Sequence, residues 1–411
     1  MKKIDFLIIG GGAAGTTAAE TLRQNNKDAS IIIVSDEPYR FYSRILISKP
    51  YFFLEKIPFE QVWLKTEAWY SENKIELLMG RSAIHLDQKN KIVKLDDGTE
   101  IVYGKLLLAV GGHARRWNVS GADKKGVGYL RNLEEAKEMM KNVKTAKRAI
   151  AIGSGFVSFE IAEILRKAGL ETSIVMMEPY YWYPVFDEEL GKFIERAMEK
   201  EGVKLIRKAE VAEVLGKDKV KGVLLKDGSK LDCEVIACGI GLDYNLGWVK
   251  ESGIETNRGI LANEYLQTNN PDIFTAGDCS EFNDIILKER IQLANWVNAQ
   301  SQGTAAALNM LGKNEPFKLV SFYTAQAFGI NISMVGDIKV GEGKTVISRG
   351  TPEANSIARI MIKDNKIVGA TLLNRTPELF QISKLIEQRV DVSGQENNLA
   401  DANFNLATLI S

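Results

Sequence analysis

Cysteine and histidine are scarce in this chain of 411 residues, with three of the first and two of the second. Cys233, Cys238 and Cys279 cannot make a disulfide framework, and no two of them have Cys-x-x-Cys spacing. With His85 and His113 as the only imidazoles, a zinc or iron–sulfur site is not expected, and no metal is assigned. An excess of either charge is also lacking, since Lys plus Arg and Asp plus Glu both total 53. That balance argues against a nucleic-acid partner held by bulk electrostatics. No apolar run reaches the ~18 residues of a spanning helix, and Met1-Lys2-Lys3 leads into an apolar strand without a cleavage site. A cytoplasmic protein without membrane attachment is therefore expected. With 45% apolar and 26% charged residues, the composition is that of an ordinary globular protein of about two to three domains. Difficult chemistry would fall to an organic cofactor.

The run Ile4-Asp5-Phe6-Leu7-Ile8-Ile9 reads as a buried parallel strand. Gly10-Gly11-Gly12-Ala13-Ala14-Gly15 follows, then a helical pattern with Ala14, Ala18 and Leu22 on one face, then the strand Ile31-Ile32-Ile33-Val34. This is a βαβ unit. The same grammar returns at Ala149-Ile150-Ala151-Ile152, Gly153-Ser154-Gly155 and the strand Ser173–Met177. The intervening helix is predicted to turn Val157, Ile161, Ile164, Leu165 and Ala168 inward and to end at Gly169. From Phe317 onward the pattern changes to α+β. Ser356 to Leu373 reads as two strands about the turn Lys363-Asp364-Asn365-Lys366, before a helix with Leu379, Ile382, Leu385 and Ile386 on one stripe. Leu406 to Ile410 is too short for an amphipathic membrane anchor.

Gly10-x-Gly12-x-x-Gly15 fits the dinucleotide fingerprint: a tight turn, a close approach for pyrophosphate, and close helix–strand packing. The anion would lie at the positive end of the helix, and Asp36 or Glu37, 21 and 22 residues after Gly15, would hydrogen-bond a ribose. The second fingerprint is less regular. Ser158 stands where a third glycine belongs, and the position 18 residues beyond it is Met176, with Glu178 two further on. In an extended strand Met176 and Glu178 share a face, so Glu178 is the candidate ribose ligand. No arginine cluster follows that strand, so NADH is preferred to NADPH. The run Tyr180-Tyr181-Trp182-Tyr183 reads as a loop capping the domain core, the alternative being a ring stacked on an adenine. Taken alone, Gly277-Asp278 is a turn at the end of a short apolar strand.

The order Gly10–Gly15, Leu106–Gly112 (with Ala109 and Gly111), Gly153–Glu160 and Ile273–Asp278 resembles the two-dinucleotide flavoproteins of the pyridine nucleotide–disulfide oxidoreductase fold. The nearest branch holds NADH–rubredoxin reductases, ferredoxin reductases of dioxygenase systems, nitrite reductase flavin domains and apoptosis-inducing-factor-like proteins. The resemblance implies FAD on the first βαβ unit and NAD(P)H on the second. It implies that Asp278 bonds the ribityl chain, that Arg44 supports the FAD phosphates, and that Lys49 lies near flavin N5 paired with Glu160. Trp296 matches a tryptophan on the family helix that follows Gly-Asp, and Phe156 follows the second glycine pair in the NAD(P)H segment. By their own pattern alone, Lys49 reads as a solvated loop lysine and Glu160 as part of a polar stripe with Glu163 and Lys167.

Thiol-using branches need cysteine beside the flavin, yet residues 40–50 contain Ser43, Arg44 and Ser48, and no cysteine precedes Cys233. The three cysteines read as structural. The expectation is an α/β protein with an FAD domain (1–117 and 245–316), an inserted NAD(P)H domain (118–244) and a C-terminal α+β domain (317–411). Hydride would pass from NADH to the flavin, and electrons onward to a rubredoxin- or ferredoxin-like carrier or a small acceptor. A homodimer is possible. Ser158, Met176 and Val110, which replaces a threonine of the family, depart from the pattern. They keep open an alternative: a flavin-bearing electron-transfer subunit, scaffold or sensor without efficient NADH turnover.

Overall fold

The computed structural model describes residues 2–341 and 343–410, which fall into two compact units. The first unit comprises residues 1–43, 60–113 and 243–321. Its centre is the opening strand Lys2–Ile9, which pairs in parallel with Ile31–Ser35 on one side and Glu100–Leu108 on the other. Ile75–Met79 and Ile273–Thr275 extend the parallel sheet at the two flanks, and the hairpin Ala83–Asp87/Ile92–Leu95 joins Glu100–Leu108 antiparallel. Leu7, Ile8, Ile32, Ile33 and Leu106–Leu108 are buried, as expected for strands covered on both faces. The helices Ala13–Asn25 and Trp296–Met310 pack on this sheet, with Ala14, Ala18 and Leu22 in the same core as Ala299, Ala306 and Ala307. Their crossing is tight. A Cβ on Gly303 would lie 2.3 Å from the carbonyl oxygen of Ala14.

The second unit comprises residues 44–59, 114–242 and 322–411. Five parallel strands lie in the order Val203–Ile206, Glu171–Val175, Arg148–Ile152, Val235–Cys238 and Val127–Gly128. An antiparallel meander of Val211–Leu215, Gly222–Leu225 and Lys230–Asp232 accompanies them. The helix Phe156–Lys167 buries Ile161, Ile164 and Leu165 as expected, but not Val157, which is 38% exposed. Phe159 and Ala162 occupy the core instead. The apolar stripe is rotated because the first turn belongs to the nucleotide loop rather than to the packed body of the helix.

The C-terminal part of this unit is a five-stranded antiparallel sheet in the order Phe322–Ala327, Ile330–Gly336, Lys366–Leu373, Ser356–Lys363 and Thr345–Thr351. Asp364 and Asn365 both have positive φ, +49° and +58°, the two-residue hairpin geometry that matches strand twist. The helix Leu379–Glu387 buries Ile382, Leu385 and Ile386. Phe328, Ile330, Ile332 and Leu373 share one core with Phe159, Tyr181, Phe193 and Ile194, so this sheet and the nucleotide-type sheet are packed as one body. Arg359 reinforces the join by pairing with Asp187 at 2.6 Å and with Glu189. Arg349, only 1% exposed, holds the chain end: it bonds Glu378 and the carbonyls of Leu399 (3.2 Å) and Phe404 (2.7 Å). No helix among the described residues is long and apolar enough to cross a membrane.

Candidate functional site

Each unit carries one glycine cradle at the carboxyl end of its central parallel strand, where α/β sheets bind ligands. In the first unit, Gly10 has φ +118°, and a Cβ there would sit 2.0 Å from the carbonyl oxygen of Ala109. A Cβ on Gly15 would meet the carbonyl oxygen of Gly10 at 1.9 Å. These two glycines are demanded by packing. Gly12 is different, because a Cβ there would find no atom within 4 Å. Its bare backbone faces open space, which is what a pyrophosphate requires. The helix that follows begins at Ala13, and it has no side-chain cap and no acid in its first turn. Its first amides are left to an anion.

Two further segments surround this cradle. Gly277 has φ +86°, with Ala14 Cβ 3.1 Å from where its own Cβ would be. Its amide donates to Gln302 Oε1 at 2.7 Å. Gln302 Nε2 and Asn298 Oδ1, on the same helix, are buried without a partner among the described residues. Such unsatisfied groups fit a polar cofactor. Asp278 follows the turn half-buried, and Trp296 starts the helix, its ring stacked on Phe41 at 5.6 Å and 10°. Past the strand Ile31–Ser35, Asp36 is exposed with His113 Nε2 at 3.5 Å, whereas Glu37 accepts the Tyr42 hydroxyl at 2.6 Å. Gly111 turns the chain with φ +60° after Ala109. The donor set and the open cradle fit a dinucleotide such as FAD.

The second cradle is complete despite its irregular sequence. A Cβ on Gly153 would lie 2.7 Å from the carbonyl oxygen of Gly239, whereas Gly155 has only that oxygen, at 4.0 Å. Ser158 is fully buried, and its hydroxyl donates to the Ile152 carbonyl at 3.0 Å. The space for it comes from Gly239 on the adjacent strand end, where a Cβ would approach Ser158 Oγ to 2.4 Å. The glycine absent from the helix is supplied across the contact. The helix again starts without a side-chain cap or a first-turn acid.

Beyond this cradle the strand ends at Val175. Met176 is buried, and Glu178 lies half-buried outside the strand with its carbonyl receiving the Lys208 amide at 3.3 Å. Arg207 and Lys208 thus arrive beside Glu178 from the neighbouring strand, a pairing that no reading of the local sequence supplies. Arg207 is already bonded to Glu195 and Glu199 at 2.9 and 2.7 Å. In the aromatic run, Tyr181 and Trp182 belong to the core, as a capping loop requires, while Tyr183 is exposed.

Lys49 and Glu160, 111 residues apart, meet in the second unit at 2.6 Å. Lys49, just before the short helix Pro50–Phe53, and Glu160, in the second turn of Phe156–Lys167, present the two side chains, which are 21% and 12% exposed. Glu163 does not share this role, since it accepts the Phe328 amide at 3.0 Å and pairs with Lys167. Phe156 packs on Trp182 and on Tyr323, at 4.4 and 4.2 Å. Burial, reinforced by the Glu160 carboxylate, pushes the Tyr323 phenol well above the usual range, so it stays neutral. Tyr323 is absent from the sequence-derived set because only the packing of the C-terminal sheet brings it there. Arg44 is half-buried and donates to the Arg131 carbonyl at 2.9 Å.

The cysteines are chemically quiet. Burial pushes Cys233 and Cys238 up to about 12 and Cys279 up to about 11, so none is a thiolate at neutral pH. No group of three or more His, Cys, Asp or Glu that could hold a metal occurs among the described residues.

Comparison with known proteins agrees with this geometry. Residues 4–303 match the family model for pyridine nucleotide-disulphide oxidoreductases, and residues 322–410 match that for a reductase C-terminal domain. The chain is 29% identical over 396 residues to nitrite reductase [NAD(P)H] of Bacillus subtilis, covering 96% of itself but 48% of that relative, about half its length. It is 28% identical over 403 residues to the biphenyl dioxygenase system ferredoxin–NAD(+) reductase component of Paraburkholderia xenovorans, covering 98% and 97%. Among solved structures, putidaredoxin reductase in its covalent complex with putidaredoxin superposes with a TM-score of 0.92 at 26% identity, covering 100% and 99%. A ferredoxin reductase from Rhodopseudomonas palustris gives 0.90 at 26%, covering 99% and 100%. With two dinucleotide cradles in order and a family match across most of its length, this chain belongs to the pyridine nucleotide-disulphide oxidoreductase family.

Proposed function

We propose that this chain is an FAD-dependent NAD(P)H:acceptor oxidoreductase that passes electrons to a small redox protein of the ferredoxin or rubredoxin kind without using a thiol. The observation that carries the reading is the pair of complete glycine cradles in a chain whose three cysteines are all buried. Bound FAD supplies the two-electron acceptance from nicotinamide and the later release of single electrons. The protein contributes binding, orientation and charge.

In the first unit, Gly10, Gly12 and Gly15 with Ala13 and Ala14 would hold the FAD pyrophosphate at the helix start. Asp36 or Glu37 would take the adenosine ribose, and Ala109, Gly111, Gly277, Asp278 and Trp296 would line the rest of the cofactor, with Arg44 added by analogy to the family. In the second unit, Gly153, Gly155 and Phe156 would hold the NAD(P)H pyrophosphate and Glu178 a ribose. NADH is favoured because Arg207 is neutralised by two glutamates and so is a poor ligand for a 2′-phosphate. Lys49 would be the cation of the reduction step, with Glu160, 2.6 Å away, holding its ammonium in place. Tyr323, a neutral phenol packed on Phe156, lies close enough to feel that carboxylate's charge.

The partner follows from the relatives, which include reductase components of ferredoxin systems and a reductase bound to putidaredoxin. The test is steady-state oxidation of NADH by the FAD-loaded chain, first with ferricyanide and then with a panel of purified ferredoxins and rubredoxins. Turnover with ferricyanide and with at least one iron–sulfur or rubredoxin carrier is expected. Turnover only after a thiol or disulfide substrate is added would contradict the proposal.

A further inference from the structure

We propose that Tyr181 is a positioning residue for NAD(P)H: its buried phenol fixes the Gly155–Phe156 peptide and so aims the first amide of the Phe156–Lys167 helix at the pyrophosphate. This rests on the assignment of NAD(P)H to the second cradle.

The Tyr181 hydroxyl donates to the Gly155 carbonyl at 3.1 Å. That carbonyl also receives the Phe159 amide at 3.1 Å, the first bond of the helix. In a trans peptide the C=O and the following N–H point in opposite directions. A clamp on the Gly155 carbonyl therefore holds the Phe156 N–H pointing away from the helix body, towards the anion. The clamp matters because Gly155 is the most pliable residue type and no side chain caps this helix.

The phenol is itself held from behind. The Tyr181 amide donates to Glu195 Oε1 at 3.0 Å, and Glu195 Oε2 receives Arg207 Nε and Nη2 at 3.1 and 2.9 Å. Phe159 and Trp182 pack on its ring at 6.2 and 5.2 Å, and no part of Tyr181 is exposed. A chain of contacts thus runs from Arg207 through Glu195 and Tyr181 to the cradle. Burial, with the nearby Glu178 and Glu195 charges, raises the phenol far above its ordinary value, so it remains a donor at every working pH.

Tyr181→Phe in the full FAD-loaded chain tests this, because it removes one hydroxyl and leaves the packed ring. With ferricyanide as acceptor, the KM for NADH should rise about three- to tenfold, the loss of one ordinary hydrogen bond's worth of alignment. The kcat should stay within about twofold, FAD content should match the unsubstituted chain, and the thermal midpoint should fall by only a few degrees, the ordinary cost of one buried hydrogen bond. Tyr183→Phe, on the exposed ring, should change nothing. An unchanged KM in Tyr181→Phe overturns the proposal. So does a KM rise accompanied by loss of FAD or by a fall in thermal midpoint well beyond that of one hydrogen bond, or an equal rise in Tyr183→Phe. If Tyr181→Phe yields too little protein, Glu195→Leu, which removes the oxygen that accepts the Tyr181 amide, reads the same chain one link back: a raised KM with kcat kept supports the proposal, and an unchanged KM overturns it. If the unsubstituted chain shows no saturation by NADH or NADPH, the cradle assignment itself fails and takes the proposal with it. If it saturates and Tyr181→Phe behaves identically, only the role of Tyr181 falls.

Discussion

Placing a methyl group on Gly239 should damage the second nucleotide cradle, and the size of the effect can be worked from two contacts. The new Cβ would lie 2.4 Å from Ser158 Oγ and 2.9 Å from the Ser158 amide nitrogen. The hydroxyl could rotate away only by abandoning the Ile152 carbonyl, and the amide belongs to the helix and cannot rotate. Overpacking of this kind costs about 1–3 kcal/mol. Ser158→Ala alone should be mild. It loses one hydrogen bond, about 1 kcal/mol, and gains roughly half of that in helix propensity. The Ile152 carbonyl is not orphaned either, since it still receives the Gly239 amide at 3.0 Å. In the double variant Gly239→Ala/Ser158→Ala the hydroxyl clash is gone but the amide clash remains, so a coupling of about 1 kcal/mol in the rescuing direction is expected. Urea unfolding of the four proteins and their KM for NADH provide the readouts. KM should rise several-fold in Gly239→Ala, because Gly153 packs on the Gly239 carbonyl. A Gly239→Ala protein as stable as its parent with unaltered KM, or strict additivity in the cycle, would refute the idea that Gly239 supplies the glycine Ser158 replaced.

Lys49→Ala should slow anaerobic reduction by NADH roughly 10²-fold, as loss of a preorganised charge does, while FAD content changes less than about twofold. Glu160→Gln, which keeps the cation, should cost less, and equal losses of rate and of FAD would mean that the lysine merely anchors the cofactor. Arg349→Met should cost about 3–5 kcal/mol in the second unit and release the chain end to limited proteolysis before the rest unfolds. Burial raises the Glu378 carboxyl, but hydrogen bonds from Arg375 and Arg349 outweigh it and hold the group below its ordinary 4.5. Its contribution is therefore complete above that value and is lost as pH falls through the lowered one, so proteolytic release in the parent should begin only under acid. Release at neutral pH would contradict this. Iodoacetamide at pH 8 should label none of the three cysteines in the native protein and all three after denaturation, without affecting NADH oxidation beforehand.

Both cradles are legible in the amino-acid order because glycine is required where backbone meets backbone: Gly10 against Ala109 and Gly15 against Gly10 leave no room for another residue. The C-terminal hairpin is legible for a similar local reason, since Asp364 and Asn365 suit its left-handed turn. What sequence conceals is compensation across space. Ser158 reads as a defect until Gly239 is seen opposite it. Gly303 in the middle of a helix was a usable sign, as glycine there is costly without a packing reason, and it marks the crossing with Ala14. The inward side of Phe156–Lys167 was misread at Val157 because the nucleotide loop claims the first turn. Lys49 and Glu160 were paired by resemblance alone, and Tyr323 and the Arg207–Glu195–Tyr181 chain depend on contacts that no spacing encodes.

FAD bound to this chain should take electrons from reduced nicotinamide without sulfur chemistry, since all three cysteines are buried. The most direct measurement is anaerobic titration of the purified, FAD-loaded protein with NADH, followed by its visible spectrum, before and after exhaustive alkylation. Loss of the flavin absorbance at about one NADH per FAD, identical in both samples, is the expected result. A spectrum that dithionite bleaches and NADH does not, or bleaching abolished by alkylation, would contradict it.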